Sequence, residues 1–451
     1  MLAIAILAAG KGSRMKSETP KVLHKLGGKT LIERVVDSCN DLNPSHFFVV
    51  IGYKGDQIRE QLNSRKDIQF VEQQPQNGTG HAVQKIAKYL RDFDGELIVL
   101  NSDVPLLKNK TLDLLIKKHR ETNADVTLLS AEVSKPYGYG RIFADINNKI
   151  DFIKEEKDCS IEQKKNKLIN SGIYCFNWIK LFEVLHDLSS NNKQNEIYLT
   201  DTIAKLSKSM HLKVDDNNEL SGINNMVQLA SCESMVQEHL RNRWMKEGVL
   251  FIEPNSSTIS EDCIIGQDVI IEPQTHIRGK CIIGSKCNIG PNVLINNSIV
   301  GDNVKIIYSV LNNVTIGNNC EIGPFANLRP ESIIKSKCKI GNFVEIKKST
   351  VEKETKINHL SYIGDSFIGK NVNIGAGTIT ANFDGEKKNI TIIHDNTKTG
   401  ANSVLVAPIT LGLNVVVGAG STLTKDVPNY SLAIERSKQL IKENWSKPRD
   451  D

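Results

Sequence analysis

Leu2-Ala3-Ile4-Ala5-Ile6-Leu7-Ala8-Ala9-Gly10-Lys11-Gly12-Ser13-Arg14-Met15, with Pro20-Lys21 close behind, opens the chain. The run Leu2 to Ala9 contains no polar residue to alternate with, so it predicts a strand buried on both faces, as in a parallel sheet. It empties into a loop with glycines at 10 and 12, where backbone can approach a bound group and turn its N–H groups toward it. Lys11, Arg14 and Lys21 set three cations beside that loop. Such equipment holds phosphates at the carboxyl edge of a parallel sheet. It is not a Walker loop, because G-x-x-x-x-G-K-[ST] is absent.

Outward from this stretch, residues 1 to 224 alternate strand and helix patterns. Phe47–Ile51, Glu96–Leu100 and Val126–Val133 read as strands, Asp56–Leu62 and Thr111–Arg120 as helices. That order predicts a Rossmann-like, mostly parallel, doubly wound sheet with ligands at its carboxyl edge. Asp103 follows one such strand and precedes Val104-Pro105, which places its carboxylate at that edge as a ligand for Mg²⁺. Met226, Leu229, Val236, Leu240 and Trp244 fit one stripe of a connecting helix.

After about residue 250 the rhythm changes. Ile259, Ile265, Ile271, Ile277, Ile283, Ile289 and Ile295 recur at every sixth residue, and after a slip of phase Ile316, Ile322, Leu328, Ile334, Ile340 and Ile346 resume. Further copies stand at Ile357, Ile363, Ile368, Ile374, Leu411 and Val417. A hexad is too short for a helix pair and predicts an all-β parallel β-helix, each aliphatic residue pointing inward onto the copy above. The position two before the aliphatic must be small and apolar, and Cys263, Cys281, Cys287, Cys320 and Cys338 fill it. These five cysteines read as packing residues. Among all nine there is no C-x-x-C, which argues against zinc and thioredoxin chemistry.

Composition bounds the rest. A chain of 451 residues exceeds one typical core. The formal charge of +5, from 57 basic and 52 acidic residues dispersed along the chain, is too mild to imply nucleic acid. No span reaches transmembrane length, and no basic residue precedes Leu2–Ala9 as in a secretory leader, so the expected location is cytoplasmic.

The pattern L-A-A-G-x-G-[ST]-R-M followed by P-K resembles the signature of the sugar-phosphate nucleotidyltransferases. The hexads resemble those of left-handed β-helix acyltransferases; the hand comes from that resemblance. Taken in order, nearly the whole chain resembles the bacterial bifunctional N-acetylglucosamine-1-phosphate uridylyltransferases and glucosamine-1-phosphate acetyltransferases. The resemblance implies a nucleotidyltransferase domain at 1–224, a linker helix at 225–248, and an acetyltransferase β-helix with a C-terminal tail at 249–451. It implies that Leu7, Ala8, Ala9, Gly10, Gln73 and Gly78 bind UTP, and that Arg14 and Lys21 clamp phosphates and serve catalysis. Thr79, Gly140, Glu155 and Asn170 correspond to amino-sugar contacts, and Asp103 and Asn224 to Mg²⁺ ligands. In the β-helix, Arg329, Lys347, Tyr362, Asn373 and Lys388 correspond to positions that bind glucosamine 1-phosphate. Ala376, Asn382, Phe383, Ala401, Ala419 and Arg436 correspond to the acetyl-CoA site.

His359 is then the general base, since imidazole exchanges a proton near neutrality. The resemblance also implies a homotrimer with sites built from neighbouring chains, and a product that feeds bacterial cell-wall synthesis. Three positions depart from the pattern: Phe383 where tyrosine is common, and Ala401 and Glu435 where serine is. Two other readings stay open. One is a nucleotidyltransferase whose β-helix is only a scaffold; the other is a non-enzymatic assembly subunit sharing both folds. The intact loop, Asp103 and His359 weigh against the second.

Overall fold

The computed structural model describes residues 1 to 446; the tail residues Lys447, Pro448 and Arg449, expected to be ordered only by a neighbour, lie outside the described residues. In the first half Leu2–Ala8 forms β1, followed by β2 (His46–Ile51), β3 (Ile68–Glu72), β4 (Glu96–Asn101) and β5 (Val126–Glu132). A hairpin of β6 (Gly140–Ala144) and β7 (Ile150–Lys154) precedes β8 (Leu168–Asn177) and β9 (Ser209–Lys213). The sheet order is β9-β5-β8-β4-β1-β2-β3, with β8 antiparallel to β4 and β5 and the other neighbours along this order parallel. Alternate residues of β1 feed separate cores. Ile4 and Ile6 join Leu112 and Leu115 on one face, while Ala3 and Ala5 join Val83 and Leu181 on the other. A strand buried from both sides has no use for polar residues, which is why Leu2–Ala8 carries none.

The glycine loop after β1 runs into a single 3₁₀ turn, Ser13–Met15, rather than an α-helix. Gly12 enters that turn at φ +61°, and a Cβ there would stand 2.6 Å from Cβ of Lys21. Only glycine lets Lys21 lie against the loop.

The long helix α1 (Met226–Lys246) ends the first half. Two compact units divide within it, Met1–Val236 and Gln237–Asp451. Its buried stripe is Cys232, Val236, Leu240 and Trp244, joined by the polar Gln237 and Arg241; Met226, assigned to that stripe from the sequence, is 43% exposed.

The second unit is a parallel β-helix with three faces. Ile271, Ile289, Ile306, Ile322, Ile340, Ile357 and Ile374 stack in register on the first face. Ile259, Ile277, Ile295, Leu311, Leu328, Ile346 and Ile363 do so on the second, and Ile265, Ile283, Val300, Ile316, Ile334, Val351 and Ile368 on the third. The aliphatic residues of the hexads are all buried, as are the five hexad cysteines. Each buried aliphatic side chain contributes about 1.5–3 kcal/mol. The slip of phase is a set of shortened sides in which Val300, Leu311 and Ile316 keep the columns filled. Parallel stacking with hexapeptide repeats is consistent with the left-handed β-helix.

Candidate active sites

At the carboxyl edge of β1 and β4 lies a cleft of two lobes, about 220 and 300 Å³. Leu7, Arg14, Thr79, Asn101, Asp103 and Asn224 line both lobes. One lobe adds Ala9, Gly10, Lys21, Gln73 and Gly78; the other adds Tyr139, Gly140, Glu155, Asn170 and Thr200. Ala8 differs from the other residues assigned to the cleft, its side chain being buried in the core under β1.

Where the lobes meet, the charged groups are already in contact. Lys21 Nζ lies 2.5 Å from Asp103 Oδ2 and donates to Asn224 Oδ1 at 3.0 Å. Arg14 Nη2 donates to the same Asn224 oxygen at 2.8 Å. The loop carrying Asn224 is tied back through Ile223 N to the Asp103 carbonyl at 2.9 Å. A carboxylate and an amide oxygen are hard donors of the kind Mg²⁺ takes alongside phosphate oxygens, so Asp103 and Asn224 fit that ion. Among the described residues no group of three or more His, Cys, Asp or Glu stands together for a metal. An ion held here therefore completes its shell with phosphate or water.

In the lobe with Gly78, Gln73 is buried and its Nε2 donates to the Gly78 carbonyl at 2.8 Å. Gly78 has φ +100°, and a Cβ would come within 2.5 Å of the Ile197 carbonyl oxygen. Thr79 Oγ1 accepts from Leu199 N at 3.0 Å, fixing the start of the following helix. In the other lobe Glu155 Oε1 accepts from Thr200 Oγ1 at 3.1 Å. Burial pushes the Glu155 carboxyl above the usual carboxylate range, with Asp201, Asp158 and Glu196 adding to the shift. Asn170 Nδ2 donates to the Tyr174 hydroxyl at 2.7 Å, and Gly140 stands opposite Asn170 in the neighbouring strand.

On the β-helix, polar residues gather where the first face turns into the second. Asn342 and His359 are in register on adjacent coils, and their Oδ1 and Nδ1 atoms are 3.0 Å apart. The amide oxygen can only accept, so the neutral ring in this pairing has its proton on Nδ1 and its lone pair on Nε2. His359 is exposed. On the second face Arg329 pairs with Glu345 at 2.7 Å, and Glu345 stacks beneath Tyr362. Lys347 lies 4.0 Å from Asp365, whose other contact is Asn382 Nδ2 at 2.6 Å. Lys388 projects from the excursion between Ala381 and Thr391. The ammonium of Lys347 beside it holds Lys388 below the usual lysine range. Two lysines crowded together, with an arginine on the same face, form a cationic cluster.

Asn373 begins a first-face strand, in register with Lys356, one face away from Lys347. Ala376, Ala401 and Ala419 follow one another up the turn between those faces: Asn402 N donates to the Ala376 carbonyl at 2.7 Å and Gly420 N to the Ala401 carbonyl at 2.8 Å. Arg436 closes that edge, 3.9 Å from where a Gly420 Cβ would be. Phe383 is 60% exposed on the excursion, and Glu435 N donates to Ser421 Oγ at 3.2 Å.

Residues 4–151 match the family model of the MobA-like NTP transferase domain. Residues 262–297 match that of the bacterial transferase hexapeptide (six repeats), and residues 310–384 that of the GMPPB C-terminal domain. Over 445 residues the chain is 57% identical to the bifunctional protein GlmU of Prochlorococcus marinus strain MIT 9313, covering 99% of this chain and 100% of that one. It is 58% identical to the GlmU of strain NATL2A, covering 98% and 99%, and 56% identical to that of Synechococcus sp. strain RCC307, covering 100% of both. The chain belongs to the GlmU family. Two sites on two units are what a family of bifunctional proteins requires.

Sequence reasoning missed several residues that the structure brings to the cleft and to the polar edge of the β-helix. Asn101 and Ser102 line the cleft beside Asp103, and their place in Asn101-Ser102-Asp103 was the available signal. Asn342 was findable because it lies one coil, 17 residues, before His359.

Proposed function

We propose that this chain makes UDP-N-acetylglucosamine in two steps, acetylating glucosamine 1-phosphate with acetyl-CoA on the β-helix and then transferring uridylyl from UTP in the N-terminal cleft. The observation that carries the reading is that each unit holds its own cation cluster beside its own polar cavity or edge, Arg14 with Lys21 and Lys347 with Lys388.

For uridylyl transfer the attacking oxygen is the phosphate of N-acetylglucosamine 1-phosphate, already an anion, so no base is needed. It attacks the α-phosphorus of UTP, and pyrophosphate leaves. Arg14 and Lys21 offset the charge that grows on the transferring and leaving phosphates, and the cleft walls align them. Gln73 and Gly78 present the uridine end; Gly140, Glu155 and Asn170 present the sugar. Mg²⁺ on Asp103 and Asn224 would add Lewis-acid neutralisation of phosphate oxygens.

For acetyl transfer, Arg329, Lys347, Tyr362, Asn373 and Lys388 hold glucosamine 1-phosphate. His359 Nε2 takes the proton of the 2-amino group as its nitrogen attacks the thioester carbonyl, and the CoA thiolate leaves. The backbone edge of Ala376, Ala401 and Ala419 lets the acetyl-CoA arm lie close, with Asn382, Phe383 and Arg436 around it. The Ala401 methyl supplies no hydroxyl there.

A homotrimer fits one more feature. Tyr308, Phe325, Phe343 and Leu360, 42 to 60% exposed, stack up the turn that ends beside His359. A second copy that covers this ladder lies next to the acetyl site. UTP and acetyl-CoA are cytoplasmic metabolites, which places the reactions in the cytoplasm; among the described residues no helix is long and apolar enough to cross a membrane.

Asp103→Ala is expected to abolish uridylyl transfer and spare acetylation, and His359→Ala to do the reverse, each followed by product formation on purified, folded protein. Either substitution silencing both activities would refute the separation of the sites.

A further inference from the structure

Beneath the lobe that holds Glu155 lies a buried ion pair with no part in the chemistry derived so far. Gly140 and Glu155 face the cleft, and the residue after each, Arg141 and Glu156, does not. Arg141 Nη2 and Glu156 Oε2 are 2.6 Å apart, with the side chains 2% and 17% exposed. Arg141 Nη1 also donates to the Tyr139 carbonyl. Its Nε and Glu156 Oε2 are both buried with no hydrogen-bond partner among the described residues, so the pair is a charge contact rather than a hydrogen bond.

The connections run from there to both ends of the lobe. Arg141 pairs with Lys154 across the β6–β7 hairpin, so the ion pair crosses the same junction that sets Gly140 against Glu155. A Cβ on Gly140 would already touch Glu155 Oε1 at 3.4 Å, which shows how closely those two walls stand. Through its guanidinium Arg141 holds the Tyr139 carbonyl, and the Tyr139 hydroxyl accepts from Gly222 N at 3.0 Å.

An ion pair taken out of water is a weak source of stability, and an apolar pair of like volume commonly serves a junction as well or better. What it supplies is fixed geometry: the planar guanidinium is held between the Glu156 carboxylate and the Tyr139 carbonyl, an arrangement aliphatic side chains cannot make. We propose that Arg141 and Glu156 are positioning residues for the sugar phosphate: the pair sets the spacing of Gly140 and Glu155. The inference rests on reading the cleft as a uridylyltransferase site.

Steady-state uridylyl transfer by the full chain tests it, with N-acetylglucosamine 1-phosphate and UTP varied in turn. The variants are Arg141→Lys and the double replacement Arg141→Met with Glu156→Leu, which removes both charges and remains informative if a single charge left buried prevents folding. The expected result is a rise in KM for the sugar phosphate of about tenfold or more in both, with KM for UTP held within about twofold. Acetyl transfer on the other unit stays at the wild-type level, and the double variant melts no lower than wild type. Recovery of both melting temperature and sugar-phosphate KM in the double variant would make the pair purely structural and overturn the proposal. An equal rise in both KM values would overturn it as well. A wild-type protein unable to use these substrates would instead sink the reading of the cleft, a failure seen before any variant is made.

Discussion

Lys21 occupies the place where a divalent cation would serve the cleft. Its ammonium touches Asp103 and Asn224 together, at 2.5 and 3.0 Å, so the carboxylate is neutralised before any ligand arrives. An incoming triphosphate offers Lys21 a stronger partner and frees those oxygens. Lys21→Met is therefore expected to act in two directions. Uridylyl transfer falls by about a hundredfold, the usual cost of one donor to developing charge. Nucleotide-free protein meanwhile binds Mn²⁺ more tightly than wild type, read by electron paramagnetic resonance titration. Equal Mn²⁺ affinity in the two proteins would show that Lys21 does not compete for the site.

At this scale the sequence was readable where a residue's job is local. Asp103 at a strand end and Gly12 against Lys21 follow from their neighbours in the chain. Arg141 did not stand out, because its value comes from Glu156 and Tyr139 across a hairpin and from burial that no local pattern announces.

Among the elements, the β-helix was the most legible, since a six-residue period leaves no other way to bury one aliphatic residue per side. The shortened sides ending at Val300, Leu311 and Ile316 were harder, because a five-residue step looks like a lost repeat until the columns are stacked. The excursion that brings Lys388 to Lys347 was harder still, as no spacing relates the two. The ladder of the turn belongs to the same scale. Phe325 and Phe343 sit at φ +59° and +57°, where asparagine is the commoner residue of this β-helix, and their rings stack at 5.4 Å, more than half exposed. A bulky residue there costs about 1 kcal/mol or more over one that tolerates the left-handed region. Replacing both by asparagine is expected to leave the thermal stability of the isolated chain equal or higher, and to shift sedimentation toward the single chain. A double variant that sediments like wild type would remove the ladder from the assembly surface.

For the whole molecule, the decisive feature is that the two sets of site residues do not overlap. Those assigned to uridylyl transfer lie between Leu7 and Asn224, and those assigned to acetyl transfer between Arg329 and Arg436, each set within its own compact unit. Neither set borrows a side chain from the other, so each site is expected to turn over on its own, with the acetylated sugar phosphate passing through solution. Protein carrying Asp103→Ala, mixed with protein carrying His359→Ala, is then expected to convert glucosamine 1-phosphate, acetyl-CoA and UTP to UDP-N-acetylglucosamine. The time course should show a lag while free N-acetylglucosamine 1-phosphate builds toward the KM of the second site, and added N-acetylglucosamine 1-phosphate should abolish that lag. If the mixture makes no product although each variant keeps its single activity, the intermediate passes between the sites without release, and the two halves act as one machine rather than two.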